Sequence, residues 1–178
     1  QRMAQMGILS PHAILNMMYF IFIISVLIGF YLALVGGWAI VIIGLASILF
    51  AIIYTGGPFP LAYNGLGDLF VILFFGFVAV CSTHYVLVVG VGGEWQPNWI
   101  VPLGVGFVIN NLLVVNNTRD YAEDKSVGKK TLVVQLGQRS GVVLYATGVL
   151  VATLVCPYLD LAIIPVVWVF PLGLFSLL

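Results

Sequence analysis

The chain has 178 residues, 62% of them hydrophobic and only 7% charged, and its formal net charge is zero. A soluble domain carries about 25% charged residues, so this composition excludes an ordinary water-soluble globule and indicates an integral membrane protein. The balanced charge argues against a nucleic-acid partner.

Six apolar segments follow one another at about 13–34, 38–54, 69–90, 99–115, 142–158 and 161–178. Each has roughly the length a helix needs to span hydrocarbon. Barrel strands would be half as long and would alternate in polarity. Helices satisfy their own backbone in lipid. The predicted fold is therefore all-α, a polytopic bundle of about six transmembrane helices forming a single membrane domain over residues 1–178.

The links differ in kind. Val35-Gly36-Gly37 reads as a tight hairpin turn, and 55–68 as a loop rich in Gly and Pro that carries the polar residues Asn64 and Asp68. The link at 91–98 is short and contains only Glu94, while Asp160 sits in a very short last turn. Cys81 and Cys156 fall within apolar runs and read as packing residues rather than a disulfide or metal site. The chain begins Gln-Arg and ends within an apolar run, which reads as a piece of something longer.

Charge is concentrated in one place. No Asp, Glu, Lys or Arg occurs from Met3 to Gly67, yet seven of the twelve charged side chains lie between Arg119 and Lys130. Burying seven charges at the bilayer centre would cost on the order of 20 kcal/mol, so this stretch lies at the membrane surface or in a polar cavity. Alternate threading of six helices puts all six Lys and Arg residues on one face and leaves Glu94 and Asp160 on the other. The positive-inside rule makes the charged face cytoplasmic.

If the fourth helix continues past Val115, Asn110, Asn117, Asp120 and Asp124 fall within an arc of about 80°. Asp120 and Asp124 then stack one turn apart and repel unless something compensates. A divalent cation such as Mg²⁺ does so, taking one or two carboxylates and leaving its other positions to water and phosphate oxygens. Lys129 and Lys130 would meet the remaining phosphate charge. The competing reading is a solvated connecting loop whose acids and bases pair with one another. Arg119 points away from the aspartate face on an ideal helix, and Lys125 reads as a solvated interfacial charge.

The string NNTRDYAEDKSVGKKTLVVQLG resembles the second aspartate-rich motif of the UbiA superfamily of intramembrane prenyltransferases, in the branch acting on 1,4-dihydroxy-2-naphthoate in menaquinone biosynthesis. The pattern N-N-x-R-D-x-x-x-D-x-x-x-G-K-x-T-L is matched at every fixed position from Asn116 to Leu132. The stretch YTGGPFPLAYNGLGDLFVILFFGFVAV, residues 54–80, resembles the branch's loop and following helix.

The resemblance implies a Mg²⁺-dependent enzyme of the bacterial inner membrane. It would join a polyprenyl diphosphate to an aromatic acid with loss of the ring carboxylate, its charged loops facing the cytoplasm. It implies Asp120 and Asp124 as metal ligands and catalytic residues, with Asn117 in support, and Arg119, Lys129 and Lys130 as diphosphate contacts. Tyr54, Asn64 and Asp68 become candidates for the cavity rim. Asp68 can alternatively cap the third helix, and Tyr54 can be an interfacial anchor. The superfamily often has Tyr-x-x-x-Lys at this loop, but Pro58 stands where the Lys would be. His84, beside Ser82 and Thr83 in the third helix, reads as a packed, hydrogen-bonded residue more readily than a functional one.

The family's first aspartate-rich motif should lie upstream of Gln1, so the isolated 178-residue chain is expected to lack transferase activity. The acceptor is alternatively 4-hydroxybenzoate or homogentisate, and the donor phytyl diphosphate. The rival from another class is a membrane transporter.

Overall fold

The computed structural model describes residues 10–155, and every regular element among them is helical. Helix α1 spans Pro11–Thr55; Pro11 occupies its first turn and the Ser10 hydroxyl accepts from the Ala13 N–H at 3.2 Å. Its 45 residues would extend about 67 Å at 1.5 Å per residue, more than twice a hydrocarbon core of about 30 Å. Two spans are thus strung end to end, separated at Gly37, whose backbone (φ 65°, ψ −156°) leaves the helical region. Only glycine takes up that conformation without strain.

The predicted hairpin turn at Val35-Gly36-Gly37 is corrected by this arrangement. A hairpin would lay the two halves side by side and bury their facing sides, whereas every residue from Pro11 to Tyr31 is exposed. The carbonyl of Gly36, next to the break, accepts a hydrogen bond from the Tyr85 hydroxyl at 3.0 Å. A buried backbone group thereby keeps a partner.

A 3₁₀ turn at Leu61–Tyr63 leads into α2, Gly67–Gly90, which widens to π-helical geometry over Ile72–Val78. Then come α3 (Ile100–Arg119), the short α4 (Tyr121–Ser126) and α5 (Leu132–Leu136), and α6 (Ser140–Val155). Asn98 starts α3 by accepting from the N–H groups of Ile100 and Val101. Thr131 starts α5 by accepting from Val134 N–H. The end of the fifth predicted segment, the whole sixth, and Arg2, Cys156 and Asp160 lie outside the described residues.

Helix α3 is the hub. Gly104, Asn111 and Thr118, seven residues apart, face Val155, Gly148 and Gly141 of the antiparallel α6 in that order. Each layer sets a larger side chain against a glycine. Lipid gives two apolar helices no hydrophobic reason to associate, so small residues that let backbones approach carry the packing. On another side α3 crosses α2, where a side chain at Gly76 would strike the Pro102 carbonyl and one at Gly106 would lie 2.8 Å from the Ile72 carbonyl. This crossing falls on the π-helical stretch.

The two ends of the bundle are distinct. At one, Tyr85, Trp95, Trp99 and Phe77 form a chain of ring contacts with centroids 5.5–6.5 Å apart, the kind of aromatic belt found at membrane interfaces. At the other, the loop after α1 meets the charged stretch, with Lys130 N–H donating to the Tyr63 carbonyl at 2.9 Å. Loops 55–66 and 116–132 therefore share one end, as alternate threading requires.

Candidate functional site

The charged stretch does not continue α3 unbroken. The helix ends at Arg119, and Asp120 (φ −89°, ψ 12°) is the hinge from which α4 starts. The Asp124 N–H still reaches the Asp120 carbonyl at 2.8 Å, so the turn persists while the side chains part. The predicted four-residue arc is thereby corrected. Asn110, Asn117 and Asp124 are buried, but Asp120 turns outward.

The reason lies in the neighbouring cation. Arg119 donates to both carboxylate oxygens of Asp120, at 2.7 and 3.0 Å, so the two form a bidentate pair instead of Arg119 pointing away. That hydrogen bonding holds the Asp120 carboxyl below its ordinary range, with the charges of Arg119 and Lys129 acting the same way. The side chain of Asp120 is 40% exposed against 11% for Asp124. Asp124 has its own partner, the Lys129 ammonium, 2.9 Å from Oδ2. Lys129 N–H also donates to the Asp124 carbonyl at 2.9 Å, closing the turn around Gly128.

Lys129 also stands 5.9 Å from the centre of the Tyr63 ring, within reach of a cation–π contact. Gly65 (φ 81°) lets the loop lie against the opposite strand of chain: a Cβ there would touch the Lys130 carbonyl at 3.0 Å and clash with the Gln135 amide. Lys130 contributes its main chain to this junction, and its side chain is exposed. Lys125 is exposed and pairs with Tyr121.

The three residues of the other loop part company. Asn64 donates to the Pro60 carbonyl at 2.8 Å, a contact within its own turn. Tyr54 joins Ser47, Phe50, Ala51, Phe70, Val71, Phe74 and Phe75 around an apolar cleft of about 340 Å³ between α1 and α2. Asp68 is buried and accepts from Asn110 Nδ2 at 3.1 Å. It does not cap α2, because it is the second residue of that helix and Leu66 holds the capping position with no side-chain bond. Asp68 thus binds α2 to α3, seven residues along α3 from Asn117, or about 10 Å at helical rise. His84 is exposed instead of packed, because it lies on a face of α2 that no described helix covers.

Sequence reasoning does not single out Tyr63, Thr118 or Asn111. Asn111 is buried with neither amide atom hydrogen-bonded among the described residues, pressed against Gly148. The seven-residue recurrence 104/111/118 on α3 and 141/148/155 on α6 is the signal that could have revealed the last two.

For a divalent cation, no three His, Cys, Asp or Glu side chains converge among the described residues. Magnesium typically takes only one or two protein carboxylates and draws the rest from water and substrate phosphate. Asp124, buried beside a lysine, fits such a partial donor set.

The chain matches the model of the UbiA prenyltransferase family over residues 2–178. It is 29% identical over 144 residues to a 1,4-dihydroxy-2-naphthoate octaprenyltransferase of Bacillus subtilis, covering 81% of this chain and 45% of that protein. It is 40% identical over 98 residues to the Escherichia coli protein of the same name, covering 54% and 30%. With a 2-carboxy-1,4-naphthoquinone phytyltransferase of Synechocystis it shares 30% over 106 residues, covering 58% and 33%. The chain spans about half the length, or less, of these relatives. No solved structure matches it.

Proposed function

The chain belongs to the UbiA prenyltransferase family, and from that membership we propose that it carries active-site residues of a membrane-embedded aromatic prenyltransferase. The donor is a polyprenyl diphosphate and the acceptor 1,4-dihydroxy-2-naphthoate, which loses its ring carboxylate as the new carbon–carbon bond forms. The site lies at the cytoplasmic face of a bacterial inner membrane, and Mg²⁺ is the cofactor. One observation carries this reading: a buried carboxylate, Asp124, sits directly against an ammonium, Lys129, inside a fully matched N-N-x-R-D-x-x-x-D-x-x-x-G-K-x-T-L stretch.

The chemistry needs what these residues supply. Departure of diphosphate builds negative charge that a bound metal and cationic side chains stabilise. Asp124 would hold the metal, with Asn117 in support; Asp120, which is paired with Arg119, would join it on exchanging that partner, while Lys129, Lys130 and Arg119 would receive the phosphate oxygens. The allylic cation left behind must be kept from water. Apolar helix walls do this, and the aromatic cleft beside Tyr54 suits an isoprenoid chain.

The test is an assay of this chain joined to the upstream aspartate-rich segment that the resemblance implies, purified and membrane-reconstituted with octaprenyl diphosphate and 1,4-dihydroxy-2-naphthoate, following prenylated product and released CO₂; the chain alone is expected to be inactive. Product forming with Mg²⁺ and stopping with EDTA supports the reading; no product with any prenyl donor rejects it. Phytyl diphosphate is the second donor to try, because one relative is named for phytyl transfer. A preference for it would replace the polyprenyl donor.

A further inference from the structure

Asp124 and Asp120 each have a cation beside them, but the two pairs are built differently. Arg119 and Asp120 are sequence neighbours whose side chains are 68% and 40% exposed. The Lys129–Asp124 pair is sheltered, and the main chain holds it, through the 2.9 Å bond from Lys129 N–H to the Asp124 carbonyl. The loop carrying Lys129 is also fastened from outside, by Lys130 N–H on the Tyr63 carbonyl and by Gln135 Nε2 on the Lys130 carbonyl at 2.7 Å. Lys129 therefore has a fixed backbone, a flexible four-carbon stem and two faces to address. One is the Asp124 carboxylate; the other is the Tyr63 ring.

We propose that Lys129 is a resident counter-ion: its ammonium neutralises Asp124 while the site is empty, and leaves for a diphosphate oxygen when the site fills. The proposal rests on the metal–diphosphate reading above and adds an order of events to it. A dication approaching Asp124 alone meets a carboxylate whose charge is already balanced, and a like charge beside it. A diphosphate offers Lys129 a stronger anionic partner, releasing the carboxylate in the same step. Lysine suits the exchange, because it is a compact point charge on a mobile stem with no fixed bidentate geometry to break. The Tyr63 ring gives the ammonium a second favourable face near the path. Metal and diphosphate should consequently bind with strong mutual dependence.

Mn²⁺ binding to the purified protein in detergent, read by electron paramagnetic resonance with and without inorganic pyrophosphate, tests this. The wild-type protein should bind Mn²⁺ weakly alone and at least about tenfold more tightly with pyrophosphate. Lys129→Gln should bind Mn²⁺ alone at least about tenfold more tightly than wild type and lose most of the pyrophosphate enhancement. Lys129→Met, made alongside, should behave as Lys129→Gln does, and Lys129→Arg should restore weak binding in the absence of pyrophosphate. If both neutral variants bind Mn²⁺ alone no better than wild type, while pyrophosphate still enhances binding, the counter-ion role is wrong and the metal site stands. If Mn²⁺ binds in no arm and Asp124→Asn is indistinguishable from wild type, the metal–diphosphate reading falls and takes this one with it.

Discussion

Helix α1 and helix α3 meet the membrane in opposite ways. The first is the most apolar of the long helices and buries none of its most apolar window, while the third is the least apolar and buries the largest share. In water the order would be reversed, because burial follows hydrophobicity. In lipid the apolar side chains of α1, such as Phe20, Leu27 and Phe30, are already solvated. The contacts that hold helices together come instead from glycines, asparagines and threonine on α3. The neighbouring row of α3, one residue away, holds Asn110 and Asn117, and α4 beyond the hinge carries Asp124. Packing and proposed chemistry thus occupy adjacent rows.

If these adjacent rows carry packing and chemistry, the largest effect should come from the end where Asp124 sits. In the protein completed with the upstream segment, Asp124→Asn is expected to lower prenyl transfer at least a hundredfold, measured as initial product formation at saturating donor; activity within threefold of wild type would detach the chemistry from Asp124. Next in size is Gly76→Ala, whose new methyl would meet backbone of α3 on two sides. It should cost about 3 kcal/mol, read by reversible unfolding in detergent. Asn110→Leu removes the side-chain donor from buried Asp68 and should cost about 1–3 kcal/mol by the same measurement. In contrast, Gly29→Ala and Gly44→Ala on α1 meet nothing within 4 Å and should be neutral or stabilise by up to about 1 kcal/mol. A loss at Gly29 or Gly44 as large as that at Gly76 would erase the distinction between the two helices.

The smallest effect belongs to the exposed Arg119–Asp120 pair. Its hydrogen bonding depresses the Asp120 pKa. Whatever stability it adds is therefore present above the ordinary carboxylate pKa and lost as pH falls through the depressed value. The difference in thermal midpoint between wild type and Arg119→Gln should accordingly be small at neutral pH, shrink in high salt, and vanish at low pH. A large, salt-independent difference would mean that the pair is part of the buried architecture.

Much of this was legible beforehand. Among the described residues, apolar runs located the long helices to within a few residues, because length and freedom from charge are what the bilayer demands of a span. The clustering of charge placed loop 116–132 outside the hydrocarbon. Helical periodicity brought Asn110, Asn117 and Asp124 to one side, but it extended a regular helix through Asp120, where the backbone turns and Arg119 captures the carboxylate. Periodicity also had no means of finding Tyr63, whose nearness to Lys129 depends on two loops far apart in sequence.

By itself, then, the sequence determined that the chain is helical and membrane-embedded, which of the described stretches are apolar helices, and where its charge must collect, because the hydrocarbon imposes those requirements on each segment separately. Tertiary structure alone decided that Val35-Gly36-Gly37 is a break at one residue, that Asp68 joins two helices instead of capping one, and that Asp120 and Asp124 have different partners. Each of those outcomes depends on what another segment places alongside, a Tyr85 hydroxyl, an Asn110 amide or a Lys129 ammonium, and local pattern carries no information about that neighbour.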